Sequence, residues 1–369
     1  MKVVDVRVYS AVNDLAGKVW NPKIRWTRKH SVIVEVVTDD GLSGIGECWC
    51  FDRTPEPLVA FLRSEVLPFV VGAEAGDCRA LHQALWSKAT LAARHGILAS
   101  ALAGIDIALW DAAARRANVP LYRLLGGDDG DLSVYASGGL YAEHKDADRL
   151  ADELAGYVAQ GFSQVKLKVG ALSPAEDAAR VERVRARLGD AVGLIVDGVY
   201  SYDAAGAAAF YRRIESAAVS AFQSPVAADD VAGMVWLVNE CGVPVMALEA
   251  EYRLPVIRLL LERRAVAILQ IAPVACGGLT PARDILDEAA AAGVPASLEV
   301  SSTAVATMAA FHLAAAHGAV IHAEHHMVHQ VLFETLPFAP GAVSSGRLQL
   351  PDLPGLGLEL PLGALQRHL

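Results

Sequence analysis

Residues 165–170 read Val165-Lys166-Leu167-Lys168-Val169-Gly170, apolar residues alternating with two lysines and stopping at a glycine. In a strand, residues two apart face one side, so Lys166 and Lys168 point the same way. Short apolar segments like this one recur along the chain, each followed by an alanine-rich helical stretch. They centre near Val134, Val165, Ile195, Phe222, Val245, Leu269, Ala296 and Val320. Their spacing, roughly 23–32 residues, is that of a strand plus a crossover helix. Each segment is apolar throughout, as a strand buried on both faces must be. Eight such units predict an α/β protein built on a (β/α)8-type TIM barrel. The rhythm alone also suits a doubly wound open sheet, but no GxGxxG fingerprint follows the first strand.

Upstream the pattern changes. Val3 to Tyr9 alternates in part, and Ser31 to Thr38 is rich in β-branched residues. Asp39-Asp40-Gly41 then marks a hairpin turn, with a return strand from Leu42 to Glu47. Leu98, Leu102, Ile105 and Leu109 recur at helical spacing until Pro120. We expect an N-terminal α+β domain over residues 1–125 and a barrel over 126–347. The tail, 348–369, is punctuated by Pro351, Pro354, Gly355, Gly357 and Pro361. It is expected to return along the N-terminal domain in extended form.

Composition narrows the function. The chain has 369 residues, 53% of them hydrophobic and 20% charged, with a formal net charge of -10. No basic stripe suggests a nucleic-acid partner. No uninterrupted apolar run of about 18 residues suggests a membrane span. The opening residues do not read as a signal peptide. Five cysteines, Cys48, Cys50, Cys78, Cys241 and Cys276, are odd in number and contain no CxxC pair. A cytoplasmic protein without a disulfide framework is expected.

Barrel chemistry sits at the C-terminal strand ends. At the second strand, Lys166 and Lys168 would enter the barrel mouth together. A neighbouring ammonium and burial both lower a lysine's pKa, which makes a usable base. The third and fifth strands end in Asp197 and Glu249, and the fourth in Gln223 and Ser224. Converging oxygen donors suit a hard cation such as Mg²⁺. Bland alternatives are outward lysines on an edge strand, and carboxylates that cap helices.

Taken together, several stretches resemble the mandelate racemase / muconate lactonizing enzyme group of the enolase superfamily. They are Val34 to Glu47 (VEVVTDDGLSGIGE), Ile105 to Gly127 (IDIALWDAAARRANVPLYRLLGG), Gly161 to Gly170 (GFSQVKLKVG), Cys276 to Thr280 (CGGLT) and Asp352 to Glu359 (DLPGLGLE). The resemblance implies a modified (β/α)7β barrel under an N-terminal cap. It implies a small-molecule carboxylate substrate, Mg²⁺, and a base removing the proton α to the carboxylate. By this likeness Lys168 is the base, Lys166 tunes it, and Asp197, Gln223 and Glu249 hold the metal. Glu299 and Glu324 would touch substrate, and Arg25, in a loop with Trp26 and Arg28, would clamp it from the cap. The likeness further implies a homo-oligomer, a dimer or an octamer.

Three positions depart from the family pattern. Gln223 replaces a glutamate, Val199 an asparagine, and Ala272 a lysine or aspartate on strand six. The strand-seven histidine of the racemases is also missing. Metal affinity should therefore be weakened, and the face opposite Lys168 should lack a base. A one-base dehydration of an acid sugar fits this pattern, and racemase, epimerase and cycloisomerase chemistry remain alternatives. A diverged, metal-poor barrel that only binds a carboxylate is the other class of reading. His322, His325, His326 and His329 form a histidine-rich tract that binds metal or lies on a solvated face. Tyr200 and Tyr202 are candidate hydroxyl acids.

Overall fold

The computed structural model describes residues 2–50, 54–74, 78–88, 95–300, 302–329, 336 and 340–369. Strands β1 (Val3–Asp14), β2 (Arg28–Thr38) and β3 (Ser43–Cys48) form an antiparallel sheet, with β2 paired to both others. Helix α1 (His95–Ala117) packs across β3. Gly44 and Gly46 permit that approach. A Cβ on Gly44 would lie 2.0 Å from the Ala108 carbonyl, and one on Gly46 1.9 Å from that of Gly104. The same helix is long and apolar enough to cross a membrane, yet 78% of its most apolar window is buried within the fold. It is a core helix, its hydrophobicity spent on packing.

Eight parallel strands follow: β4 (Asp131–Ser137), β5 (Gln164–Lys168), β6 (Gly193–Asp197), β7 (Ala221–Gln223), β8 (Val245–Ala247), β9 (Ile268–Ile271), β10 (Ala296–Leu298) and β11 (Val320–His326). Each pairs with the next, and β11 returns to β4, closing the barrel. Seven principal crossover helices cover it: α2 (Ala147–Ala159), α3 (Pro174–Leu188), α4 (Ala204–Arg213), α5 (Val231–Asn239), α6 (Leu254–Glu262), α7 (Leu279–Ala291) and α8 (Ala304–Ala316). This is the (β/α)7β arrangement.

Local chemistry starts these helices. Ser173 and Glu176 form a reciprocal capping box before Pro174 in α3, and Asp146, Asp203 and Asp230 cap α2, α4 and α5. No side chain of its own caps α7; Asp106 of α1 instead accepts from the Thr280 amide at 2.9 Å and hydroxyl at 2.6 Å. Leu167 and Val165 point outward to the helices, while Tyr135, Ile195, Ala221 and Met246 plug the barrel interior. The tail is shared between the two sheets. Strand β12 (Arg347–Gln349) runs antiparallel to β4, and β13 (Gln366–Arg367) antiparallel to β1.

Candidate active site

Strand register builds the site. Lys168 is paired with Asp197 across β5 and β6, and Asp197 with Gln223 across β6 and β7. Glu249 follows two residues beyond the end of β8. These groups line a cavity of about 200 Å³ together with Glu299 and Glu324. The N-terminal domain closes it with Asn21, Lys23, Ile24, Trp26, Lys29 and Trp49.

The polar contacts are specific. Lys168 donates a short hydrogen bond to Asp197 Oδ2. Lys166, almost fully buried beneath it, donates to Gln223 Oε1 at 2.7 Å and pairs with Glu324 Oε1 at 2.9 Å. Asp197 Oδ2 stands 3.5 Å from the same ammonium. Asp197 Oδ1 accepts from the Val199 amide at 3.0 Å, and Glu249 Oε2 from Ser224 Oγ at 2.7 Å. Tyr200 also hydrogen-bonds Glu249. Val199, Tyr200 and Ser224 adopt left-handed backbone, with φ of 46°, 57° and 42°. Strained conformations of this kind persist only where surrounding structure enforces them.

Lys166 corrects one expectation. Burial does pull its pKa down, but Glu324, Tyr135 and Asp197 outweigh burial and hold it well above the ordinary lysine value. The expected lowering is overridden at Lys166 because its ammonium is paired with Glu324 and lies near Asp197. Lys166 is therefore a fixed cation. Burial raises the Glu324 carboxyl, but Lys166 and Lys168 more than reverse this, and it lies below its ordinary range. Glu299 goes the other way. Burial, then the charges of Glu324 and Glu249, push it up to about 8. Its Oε2 is buried with no hydrogen-bond partner among the described residues.

Arg25 is a second correction. It does not line the cavity; it is exposed, lies over the Trp20 ring at 3.9 Å, and donates to Gly17 O and Glu143. The basic residues that the cap does bring to the cavity are Lys23 and Lys29, the latter only 2% exposed. Sequence reasoning passed over Lys29, although Lys29, Ser31 and Ile33 alternate on one face of β2. The histidine tract is a third: it does not lie on a solvated face, for His322, His325 and His326 are buried on a strand, Val320–His326, that runs into a 3₁₀ turn at Met327–His329. His322 and His326 share the inward parity of Glu324, while His325 packs against Phe162 and Phe311. Strand parity divides them, and the side chain of His329 lies outside the described residues. Tyr202 stacks on Phe210 and edges onto Phe222, away from the cavity. Ala272 is fully buried.

A hard cation needs converging oxygens. Among the described residues, no group of three or more His, Cys, Asp or Glu side chains is arranged to hold one. Two carboxylates do fit. Burial and then the nearby charge of Asp197 raise the Glu249 carboxyl, a repulsion that a cation would relieve. Gln223 supplies a neutral third oxygen, one that already accepts from Lys166.

A capped barrel with lysines and carboxylates gathered at its strand ends defines the class. Residues 149–363 match the family model for the enolase C-terminal domain-like fold, and residues 23–126 that for the mandelate racemase / muconate lactonizing enzyme N-terminal domain. The chain belongs to the mandelate racemase / muconate lactonizing enzyme group of the enolase superfamily. It is 30% identical over 344 residues to the arabinonate dehydratase of Saccharolobus solfataricus, covering 91% of this chain and 90% of that one. The crystal structure of the 3,6-anhydro-D-galactonate cycloisomerase from Zobellia galactanivorans superposes with a TM-score of 0.87 at 27% identity, covering 98% of each chain. A racemase from Streptomyces coelicolor A3(2), solved with bound magnesium, has the same fold, with a TM-score of 0.90 at 24% identity over 98% of each chain.

Proposed function

We propose that this protein is an acid-sugar dehydratase that works through a single base, Lys168. The observation that carries the reading is one-sided: Lys168 lines the cavity and is held by Asp197, while the strand opposite ends in the buried methyl of Ala272. Racemisation by two bases needs a proton acceptor on each face of the planar intermediate. Elimination needs only one. Lys168, as the free amine, takes the α-proton. The resulting ammonium returns that proton to the departing β-hydroxyl, which leaves as water, and the enol collapses to a 2-keto-3-deoxy acid. Asp197 orients the amine, and Lys166, fixed as a cation, supplies positive charge where the carboxylate gains electron density.

Asp197 and Glu249, with Gln223, would hold Mg²⁺. When bound, the ion supplies Lewis-acid stabilisation to the substrate carboxylate. The similarity to an arabinonate dehydratase supports an aldonate as substrate. We further propose a barrel over 126–347 beneath a cap of 1–125 and 348–369, assembled as a homo-oligomer. The five free thiols suit a reducing cytoplasm.

The test is a panel of aldonates and aldarates, arabinonate among them, incubated with protein and Mg²⁺. Release of 2-keto-3-deoxy acid, lost on chelation, is the expected result. Rapid racemisation of a 2-hydroxy or N-acylamino acid, without dehydration, would contradict it.

A further inference from the structure

Lys168 is anchored from behind by a buried cluster that no strand-end reading includes. Arg180 of α3 donates to the Lys168 carbonyl at 3.1 Å and to Asp177 Oδ1 at 2.7 Å. Asp177 Oδ2 accepts from the Gly170 amide at 2.7 Å and the Leu172 amide at 3.3 Å. Tyr141 lies after β4, and its hydroxyl donates to Asp177 Oδ1 at 2.7 Å while accepting from the Ala171 amide at 3.2 Å. The Arg180 guanidinium covers the Tyr141 ring at 4.1 Å. Tyr141, Asp177 and Arg180 are 4%, 0% and 6% exposed. Three successive amides and one carbonyl, all beside Lys168, are thus fixed by three side chains.

The cluster does not end there. Val19–Trp20 pairs with Tyr141–Ala142 in a two-stranded ribbon, and the Trp20 ring stacks on Tyr141 with centroids 6.2 Å apart. Trp20 belongs to the cap loop that brings Asn21, Lys23, Ile24 and Trp26 to the cavity. Arg25 also lies over the Trp20 ring and braces the loop against Glu143. One continuous path therefore runs from the loop over the substrate cavity to the backbone of the base.

We infer that Tyr141, Asp177 and Arg180 are positioning residues that couple the seating of the cap loop to the placement of Lys168. The inference rests on Lys168 being the base. Its physical ground is the sensitivity of proton transfer to geometry, where a misplacement of about 1 Å costs about 100-fold in rate. Gly170 sets the same constraint by shape. It has φ of 101°, and a Cβ there would lie 2.1 Å from Ser201 Oγ, so the strand end has one way to turn.

Two measurements test the coupling. The first needs no substrate: amide hydrogen exchange over residues 169–173 in the full chain. Tyr141→Phe, Arg180→Met and Trp20→Ala should each speed exchange there and leave residues 268–271 of β9 unchanged. Unchanged exchange at 169–173 in Trp20→Ala would overturn the coupling, whatever the activity. The second uses arabinonate, or whichever panel acid is dehydrated. Arg180→Met should lower kcat about 10- to 100-fold with KM within twofold, and raise the isotope effect for an α-deuterated substrate. Arg180→Lys should recover part of kcat. A destabilised but correctly placed site would lower the active fraction without moving the isotope effect, and that result would overturn the proposal. Failure of every acid sugar with wild-type protein would remove the proposed reaction, and the exchange experiment would still decide the coupling.

Discussion

Two regions of this protein hold buried carboxylates that are treated differently. At the joint between cap and barrel, Glu47 accepts from the Thr303 amide at 3.2 Å, its hydroxyl at 2.6 Å, the Ala306 amide at 3.1 Å and the Ser302 hydroxyl. Asp111 accepts from the amides of Ile45 and Leu356 and from Arg115. These anions are saturated by fixed donors, and they cap helices or bind loops. In the barrel mouth Glu299 Oε2 has no hydrogen-bond partner among the described residues, and Glu249, held by the Ser224 and Tyr200 hydroxyls and its own backbone amide, faces the charge of Asp197. Leaving such groups under-satisfied costs stability, so their retention points to a ligand. The saturated set builds the protein and the unsaturated set works.

Substitutions should separate the two sets. The largest effect is expected at Lys168. Lys168→Met should reduce dehydration by about 10²–10⁴-fold, the usual share of a positioned acid–base group, with little loss of stability. Next, Glu249→Gln should weaken Mg²⁺ binding to chelator-stripped protein at least tenfold, measured by calorimetry, while the thermal midpoint holds or rises. Gln223→Glu should tighten it. A neutral Gln223 forgoes a charge–charge attraction of about 4 kcal/mol at 4 Å and an effective dielectric of 20, before desolvation offsets it. If Glu249→Gln destabilised the protein without touching metal affinity, Glu249 would belong with Glu47.

At the joint the pattern should reverse. Glu47→Gln places an amide against buried donors and should cost about 2–3 kcal/mol in urea unfolding. Activity per folded molecule should remain. A smaller effect concerns pH. Burial lowers His312 and His325 to about 4 from the ordinary 6.5. The unfolded chain then binds protons that the folded chain refuses, so their contribution is full above pH 6.5 and is lost as pH falls towards 4. His312 Nδ1 accepts from the Tyr122 amide at 3.0 Å. His312→Asn, which keeps an acceptor, should flatten part of the stability loss between pH 7 and 5.

The barrel was legible because its strands are apolar on both faces and recur at the spacing of a strand plus a crossover helix. All eight predicted strand centres fall on or beside strands of the closed barrel, from Val134 in β4 to Val320 in β11. The ends of β5, β6 and β7 were legible because period two and register place Lys168, Asp197 and Gln223 side by side. What the cap contributes was not. Arg25 and Lys29 are both basic residues near one loop, and only the fold shows that Trp20 captures Arg25 while β2 buries Lys29. The charge state of Lys166 was missed for a related reason. Its partner Glu324 lies 158 residues away on β11, and sequence neighbours alone suggest only the second lysine. The histidine tract was not legible as metal site or surface because strand period divides it: His322 and His326 share the inward parity of Glu324, and His325 faces Phe162 and Phe311.

The central claim is that Lys168 removes the proton α to a carboxylate. The most direct test is proton NMR of arabinonate and the rest of the acid-sugar panel in D₂O, with protein and Mg²⁺, followed for loss of the α-proton signal. The account predicts exchange or elimination at the α-carbon of at least one acid with wild-type protein and neither with Lys168→Met. Equal reaction in the Lys168→Met protein, or an α-proton untouched across the panel, would contradict it.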